Sequence, residues 1–272
     1  MTMNKALTIA GSDTSGGAGI QADLKTFQEL GVFGMTSLTV IVAQDPNNNW
    51  FHAVYPVEAN VLEAQIDTVL GGIGVDAAKT GMLGSPELIE LAARKLAQYQ
   101  VKNVVVDPVM VCKGVDEELH PESTASLRDV LVPIATVVTP NLFEAAKLSG
   151  MSPITTIEQM KEAAQKIHAL GAKYVLIKGG SKLQHEKAVD LLFDGETFEL
   201  IEAERIDTPY IHGAGCTYSA AIAAELAKGK SVREAVQVAK AFITEAIRHS
   251  FPLNSFVGPT NHGAYRNSLL SK

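Results

Sequence analysis

Cysteine is nearly missing from this chain: 272 residues carry two, together with a single tryptophan. Thiols as far apart as Cys112 and Cys216, with no paired Cys/His spacing around them, argue against a disulfide framework and a zinc cluster. No apolar run reaches the roughly 18 residues that a spanning helix needs. The N-terminus passes from Lys5 straight into an apolar stretch without a signal-peptide pattern, so the cytoplasm is the default expectation. Positive charge is also short, with 23 Lys and Arg against 30 Asp and Glu for a net charge of −7. Neither nucleic acid nor an anionic membrane is therefore an expected partner. If such a protein binds anions, it does so through backbone N–H groups and a few placed lysines. No internal repeat, low-complexity segment or linker interrupts the chain. With 46% hydrophobic and 19% charged residues, one globular domain over residues 1–272 is expected.

Glycine is present where it matters. His212-Gly213-Ala214-Gly215-Cys216-Thr217 leads into an Ala-rich run ending near Leu226. Two glycines flanking one small residue permit a sharp turn and a close ligand approach. The Ala-rich run reads as a buried helix whose first amides and positive dipole end suit a phosphoryl group. Cys216 lies in that first turn, where a thiol is expected to lose its proton more readily. The plainer alternative is a glycine loop capping a core helix, with Cys216 as a small buried hydrophobe.

Residues 5–10 form an apolar strand that runs into Gly11, Asp13 and a second glycine-rich turn, followed by a helix over 20–30. P-loop spacing fails there because Gly17 and Ala18 replace the Lys and Ser/Thr. The dinucleotide fingerprint fails too, since 39–41 is apolar where a ribose-binding acid belongs. A second strand is expected over 34–42. Residues 44–52, with Gln44, Trp50 and His52, have the composition of a lid loop. There Trp50 is either a hydrophobic plug or, with His52, a cover for a flat heteroaromatic substrate. Met82 follows a strand at 75–79 as core filler or ligand contact. Asp107 ends a strand at 103–106, Asn141 and Glu144 follow one at 136–138, and Lys178 ends one at 174–177. Glu144 reads either as a first-turn acid complementing the helix dipole or as a reach toward a metal-bound phosphate. Lys178 is a solvated turn residue or a point charge for phosphates. Asp194-Gly195 joins a hairpin, and a last amphipathic helix spans 232–248 ahead of a tail with Gly258, Pro259, His262 and Gly263.

Continuous apolar strands alternating with helices imply a largely parallel sheet covered on both faces. Gly11, Asp107, Asn141, Lys178 and Gly213 then gather at its carboxyl edge, where such sheets bind ligands.

Ala10-Gly11-Ser12-Asp13, Gly17-Ala18-Gly19-Ile20-Gln21-Ala22-Asp23, Thr80-Gly81-Met82, Asp107-Pro108-Val109-Met110, Thr139-Pro140-Asn141 with Glu144, Lys178-Gly179-Gly180 and His212–Thr217 occur in this order. Together they resemble the hydroxymethylpyrimidine/phosphomethylpyrimidine kinase branch of the ribokinase-like superfamily over essentially the whole chain. Asp107–Gly114 with Cys216, and the Asp45-Pro46-Asn47-Asn48 and Trp50 stretch, look most like the pyridoxal (pyridoxine) kinases of Gram-positive bacteria within that branch. Gln44 points instead to the pyrimidine enzymes of thiamine biosynthesis. The resemblance implies a three-layer α/β/α sandwich without a separate lid domain, a homodimer, and ATP with Mg²⁺.

It further implies that Gly213, Ala214, Gly215 and Cys216 carry the transfer, with Cys216 accepting or orienting the hydroxyl proton. Gly11, Asp13, Ala18, Val42, Gln44, Trp50, His52, Met82 and Val109 are the expected ring contacts, the ring being a B6 vitamer or hydroxymethylpyrimidine. Asn141, Lys178, Gly180 and Asp107 are expected at the nucleotide, and Glu144 and Asp107 at the metal. Cys112 is either an inert loop thiol or one that adds reversibly to the pyridoxal aldehyde.

Overall fold

The computed structural model describes residues 3–110, 121–180 and 182–271. Nine strands lie among these residues, in chain order β1 (Lys5–Asp13), β2 (Phe33–Asp45), β3 (Phe51–Pro56), β4 (Ala77–Thr80), β5 (Val104–Val106), β6 (Val137–Val138), β7 (Tyr174–Lys178), β8 (Ala188–Phe193) and β9 (Phe198–Ala203). They form one sheet in the order β3-β2-β1-β4-β5-β6-β7-β8-β9. The six strands from β2 to β7 run parallel. β3 closes one edge antiparallel, and β8 and β9 close the other.

The strands read as unbroken apolar runs because both faces are covered. Successive side chains alternate between two cores. Leu7, Ile9, Val104, Val106, Val175 and Ile177 enter one, while Ala6, Val105 and Leu176 enter the other. The first core lies under α2 (Ala59–Ile66), α3 (Pro86–Gln98), α5 (Leu142–Ser149) and α6 (Ile157–His168). The second lies under α7 (Ala214–Ala227) and α8 (Val232–Arg248), with Phe27 of α1 (Gly19–Glu29). α4 (Pro121–Ser126) and α9 (Ala264–Leu270) complete the set. This is the expected α/β/α sandwich.

Local signals start four of the helices. Ser85 accepts from the Leu88 amide ahead of Pro86, and Asn141/Glu144, Thr156/Gln159 and Ser231/Glu234 form capping boxes. α7 has no polar face because the sheet, α1 and α8 surround it, so nearly every residue from Thr217 to Ala227 is buried.

One expectation needs correction. The segment 44–52 is not a lid loop. β2 runs on to Asp45 and pairs with β3 in a hairpin whose register sets Gln44 opposite His52. Asn49 and Trp50 take left-handed φ values of 47° and 61°, and the Phe51 amide donates to the Asn48 carbonyl. That is a left-handed turn centred on Asn49-Trp50, closing the five-residue connection 46–50 of the hairpin. The polar composition masked the pairing. The tail carries α9, which packs Tyr265 against Phe242.

Candidate active site

A cavity of about 660 Å³ opens at the carboxyl ends of the parallel strands. Its centre is built by two glycine turns pressed against each other. Gly213 has φ +75°, and a Cβ there would stand 1.8 Å from the Gly17 carbonyl oxygen. Gly19 has φ +57°, and a Cβ there would stand 2.3 Å from the Gly11 carbonyl oxygen. Only glycine satisfies both demands. The N-termini of α7 and α1 therefore share one mouth; the Ala214 amide donates to the Ile211 carbonyl, and the amides of Gly213, Gly215 and Cys216 are left to make an anion hole. Gly11 itself marks a bulge between β1 and β2, where a Cβ would lie 2.6 Å from a Val40 methyl.

Beside the α7 turn, Lys178 Nζ donates to Asp107 Oδ1 at 3.0 Å. It also lies 3.5 Å from where a Gly215 Cβ would be, so the ammonium stands next to the bare amides. Burial opposes the charge on Lys178, but Asp107 and Glu144 outweigh it and hold its proton affinity above the ordinary value. Thr139 and Ser219 hydroxyls also donate to Asp107, which makes this carboxylate the fixed partner of Lys178. Glu144 accepts from the Asn141 amide at 2.8 Å, and Asn141 Oδ1 accepts from the Glu144 amide at 2.9 Å. Burial raises the Glu144 carboxyl to about 7, partly opposed by Lys178.

Cys216 departs from expectation. Burial pushes its thiol up to about 11, against the pull of Lys79 and of a hydrogen bond from the Gly19 amide. Desolvation outweighs the helix-terminus effect that favours a thiolate.

At the other end of the cavity, Asp13 gathers partners from three segments. It accepts from Gln44 Nε2 at 2.6 Å, from the Ala18 amide at 2.8 Å and from the Ser15 amide and hydroxyl, and it pairs with His212 Nε2 at 2.8 Å. Burial alone would raise this carboxyl, yet the hydrogen bond and charge of His212, with Gln44 and Ser15, hold it well below the usual range. The His52 and His212 rings face each other across 6.5 Å at 26°.

Of the residues singled out in the sequence, Gly11, Asp13, Ala18, Val42, Gln44, His52, Met82 and Val109 line the cavity. So do Asp107, Asn141, Glu144, Lys178 and Gly180, and the turn from Gly213 to Cys216. Trp50 does not. It is half-buried and stacks on Phe256 at 6.1 Å and 6°, the packing of the hydrophobic plug rather than of a cover on the cavity. Cys112 lies outside the described residues. Sequence reading missed His212 as a side chain of the site, although it stood inside the quoted motif. It also missed the Lys79–Asp23 and Lys240–Asp190 ion pairs at 2.7 Å each. The available signal was a lysine inside the apolar run of β4.

Among the described residues no cluster of three His, Cys, Asp or Glu could cage a metal ion. One buried carboxyl at Glu144 beside an ammonium and an anion hole fits instead a magnesium ion carried mainly by phosphates and water.

The sequence model of the phosphomethylpyrimidine kinase family matches residues 13–261. The chain is 65% identical to a pyridoxine kinase of Bacillus subtilis (strain 168) over 266 residues, 98% of each chain. Its fold superposes on the ADP complex of Bacillus subtilis pyridoxal kinase with a TM-score of 0.95 at 65% identity, covering 97% of this chain and 99% of the other. On Staphylococcus aureus pyridoxal kinase in complex with AMP-PCP and pyridoxal the TM-score is 0.92 at 50% identity, covering 97% and 95%. An anion hole, a lysine beside it and a ring-sized polar pocket are what phosphoryl transfer to a small alcohol needs. With a match of this length, the chain belongs to the phosphomethylpyrimidine kinase family and is an ATP-dependent kinase acting on an alcohol group.

Proposed function

We propose that the chain transfers the γ-phosphoryl group of ATP to the 5′-hydroxymethyl group of B6 vitamers: pyridoxal, pyridoxine and pyridoxamine. The observation that carries this reading is the α7 mouth, whose bare amides and adjacent Lys178 open onto the pocket of Asp13, Gln44, His52 and His212. The pyridoxine kinase at 65% identity and the pyridoxal kinase complex with AMP-PCP support the substrate class.

Phosphoryl transfer needs in-line positioning and stabilisation of charge spread over the moving group more than covalent help. The amides of Gly213, Gly215 and Cys216 receive that charge. Lys178 turns from Asp107 toward the phosphates, and Asp107, held by Ser219 and Thr139, keeps it aimed. Asn141 and Glu144 would hold magnesium, which would supply charge neutralisation on the nucleotide. Asp13 stays ionised and fixes His212 and Gln44 against the ring. In its protonated form Cys216 orients the substrate hydroxyl, and only the ionised fraction accepts the proton. Cavity walls from Ile206, Thr208, Ile243 and Ile247 suit the flat apolar face of the nucleotide base.

ATP consumption with pyridoxal, pyridoxine and hydroxymethylpyrimidine, each with and without magnesium, tests the reading. The highest kcat/KM belongs to a B6 vitamer and activity requires the cation. Turnover of hydroxymethylpyrimidine with the vitamers inert would overturn it in favour of the second reading. That reading, a hydroxymethylpyrimidine/phosphomethylpyrimidine kinase, is favoured by Gln44, whose amide oxygen is a suitable acceptor for a ring amino group. We further propose a homodimer, supported by the exposed Phe33, Ile41, Phe51 and Tyr55 on β2 and β3, and checked by light scattering.

A further inference from the structure

Asp23 and Lys79 are both fully buried, with side chains 0% exposed, and nothing in the transfer described above uses them. Lys79 Nζ donates to both Asp23 oxygens, at 2.7 and 2.8 Å, and the Thr8 hydroxyl donates to Asp23 at 2.6 Å. Removing two charges from water costs several kcal/mol per ion, and apolar residues of similar volume often do as well in such places. A pair like this is therefore a poor device for stability alone.

Its location suggests a use. Lys79 sits in β4, beside Thr8 of β1, and reaches the cavity floor. Its Nζ is 3.3 Å from where a Gly81 Cβ would stand. Asp23 is one turn along α1 from Gly19, whose amide donates to the Cys216 sulfur. The ammonium thus lies beneath the point where α1 and α7 converge. Asp23 and Cys216 are the two groups whose charge acts most strongly on it, followed by Asp107. Burial works against charge at Lys79, but the two short bonds to Asp23 keep it protonated.

We propose that Lys79, anchored by Asp23 and Thr8, is a positioning residue for the transfer: its ammonium supplies the positive potential against which the Cys216 sulfur carries negative charge. In the step concerned, the substrate O–H proton moves to the ionised Cys216 sulfur. The freed oxygen forms its bond to the γ-phosphorus as the bond to the ADP oxygen breaks. Four charged groups face that sulfur. Lys79 from β4 and Lys178 from β7 favour its negative form, while Asp23 from α1 and Asp107 after β5 oppose it. Lys178 is committed to Asp107 and the nucleotide, so Lys79 is the cation left to serve the thiol.

The inference rests on the kinase reading of the site, but its first readout needs no substrate. Iodoacetamide alkylation of nucleotide-free protein is followed at the Cys216 peptide by mass spectrometry across pH. Replacing the pair by neutral side chains (Lys79→Met with Asp23→Asn) removes the favourable charge and the smaller opposing one together, so the midpoint of that profile moves up by about half a unit and alkylation below it slows about threefold. The same double variant loses about threefold in kcat, with KM for ATP unchanged. In a Cys216→Ala background the pair replacement costs nothing further. An unmoved alkylation profile, or an equal kcat loss without Cys216, overturns the proposal. ADP binding verifies folding. If the Met/Asn variant does not fold, Lys79→Gln with Asp23→Asn keeps hydrogen bonding in place of the ion pair and undergoes the same measurements.

Discussion

Gly213→Ala is the sharpest probe of the anion hole. Alanine in a left-handed conformation costs about 1–2 kcal/mol by itself. At this position the new methyl would also stand 1.8 Å from the Gly17 carbonyl oxygen. Carbon and oxygen in contact need roughly 3.2 Å or more, so the two turns must part by more than about 1 Å. The added strain brings the expected stability loss to about 2–4 kcal/mol, typical of overpacking a close-packed site. A displacement of that size at a catalytic turn costs on the order of 100-fold in rate. Gly229→Ala is the control, because Gly229 has φ +84° with nothing within 4 Å of a built Cβ. It carries the conformational strain without the collision. Steady-state kinetics and thermal unfolding of both variants separate the two effects. Gly229→Ala loses about 1 kcal/mol with kcat unchanged, while Gly213→Ala loses both stability and about 100-fold in kcat. Wild-type kcat in Gly213→Ala would refute the claim that this turn receives the migrating group.

Other substitutions test the surrounding contacts. Trp50→Ala leaves KM for the vitamer within about twofold, because the ring packs on Phe256 and not in the cavity; a KM increase of tenfold would reinstate the lid. Glu144→Gln, studied without nucleotide, stabilises the protein at pH 8 relative to wild type. A carboxyl raised to about 7 in the folded chain opposes folding once pH climbs above its unfolded value, fully so above 7, and the amide removes that penalty. Chemical denaturation at pH 5 and pH 8 reads it, and equal differences at both would count against it. Asp13 behaves in the opposite sense. Its carboxyl is held low chiefly by His212 once the opposing effect of burial is overcome, so its stabilisation is complete above pH ~4 and fades as pH falls below that. His212→Asn weakens this dependence, and acid unfolding curves between pH 2 and 6 should flatten accordingly. Lys178→Met strands the buried Asp107, costing about 3–5 kcal/mol, and raises KM for ATP; urea unfolding and kinetics report each part.

Much of the site was legible because its signals are local. Gly213 and Gly215 before an Ala-rich run, Asn141 three residues before Glu144, and strands ending in Asp107 and Lys178 are short patterns with direct conformational causes. Where reading failed, the deciding partner was far away in sequence. Trp50 was assigned to the substrate because nothing nearby reveals the Asn48–Phe51 turn or the distant ring of Phe256. His212 became a site residue only through Asp13, 199 positions earlier. Lys79 looked anomalous in an apolar strand, but its partner Asp23 lies on a helix packed against that strand.

The sequence by itself determined the alternation of strands and helices, the helix starts, the glycine turns and the class of anion they can hold. These follow from apolar periodicity, capping and backbone freedom, which act over a few residues. Only the tertiary structure decided the proton affinity of Cys216, the pairing of Lys178 and the partners of Asp13. Desolvation and Coulomb interactions depend on which elements pack together. A helix start that by itself favours a thiolate becomes, under the cover of β4 and α1, one that holds a thiol.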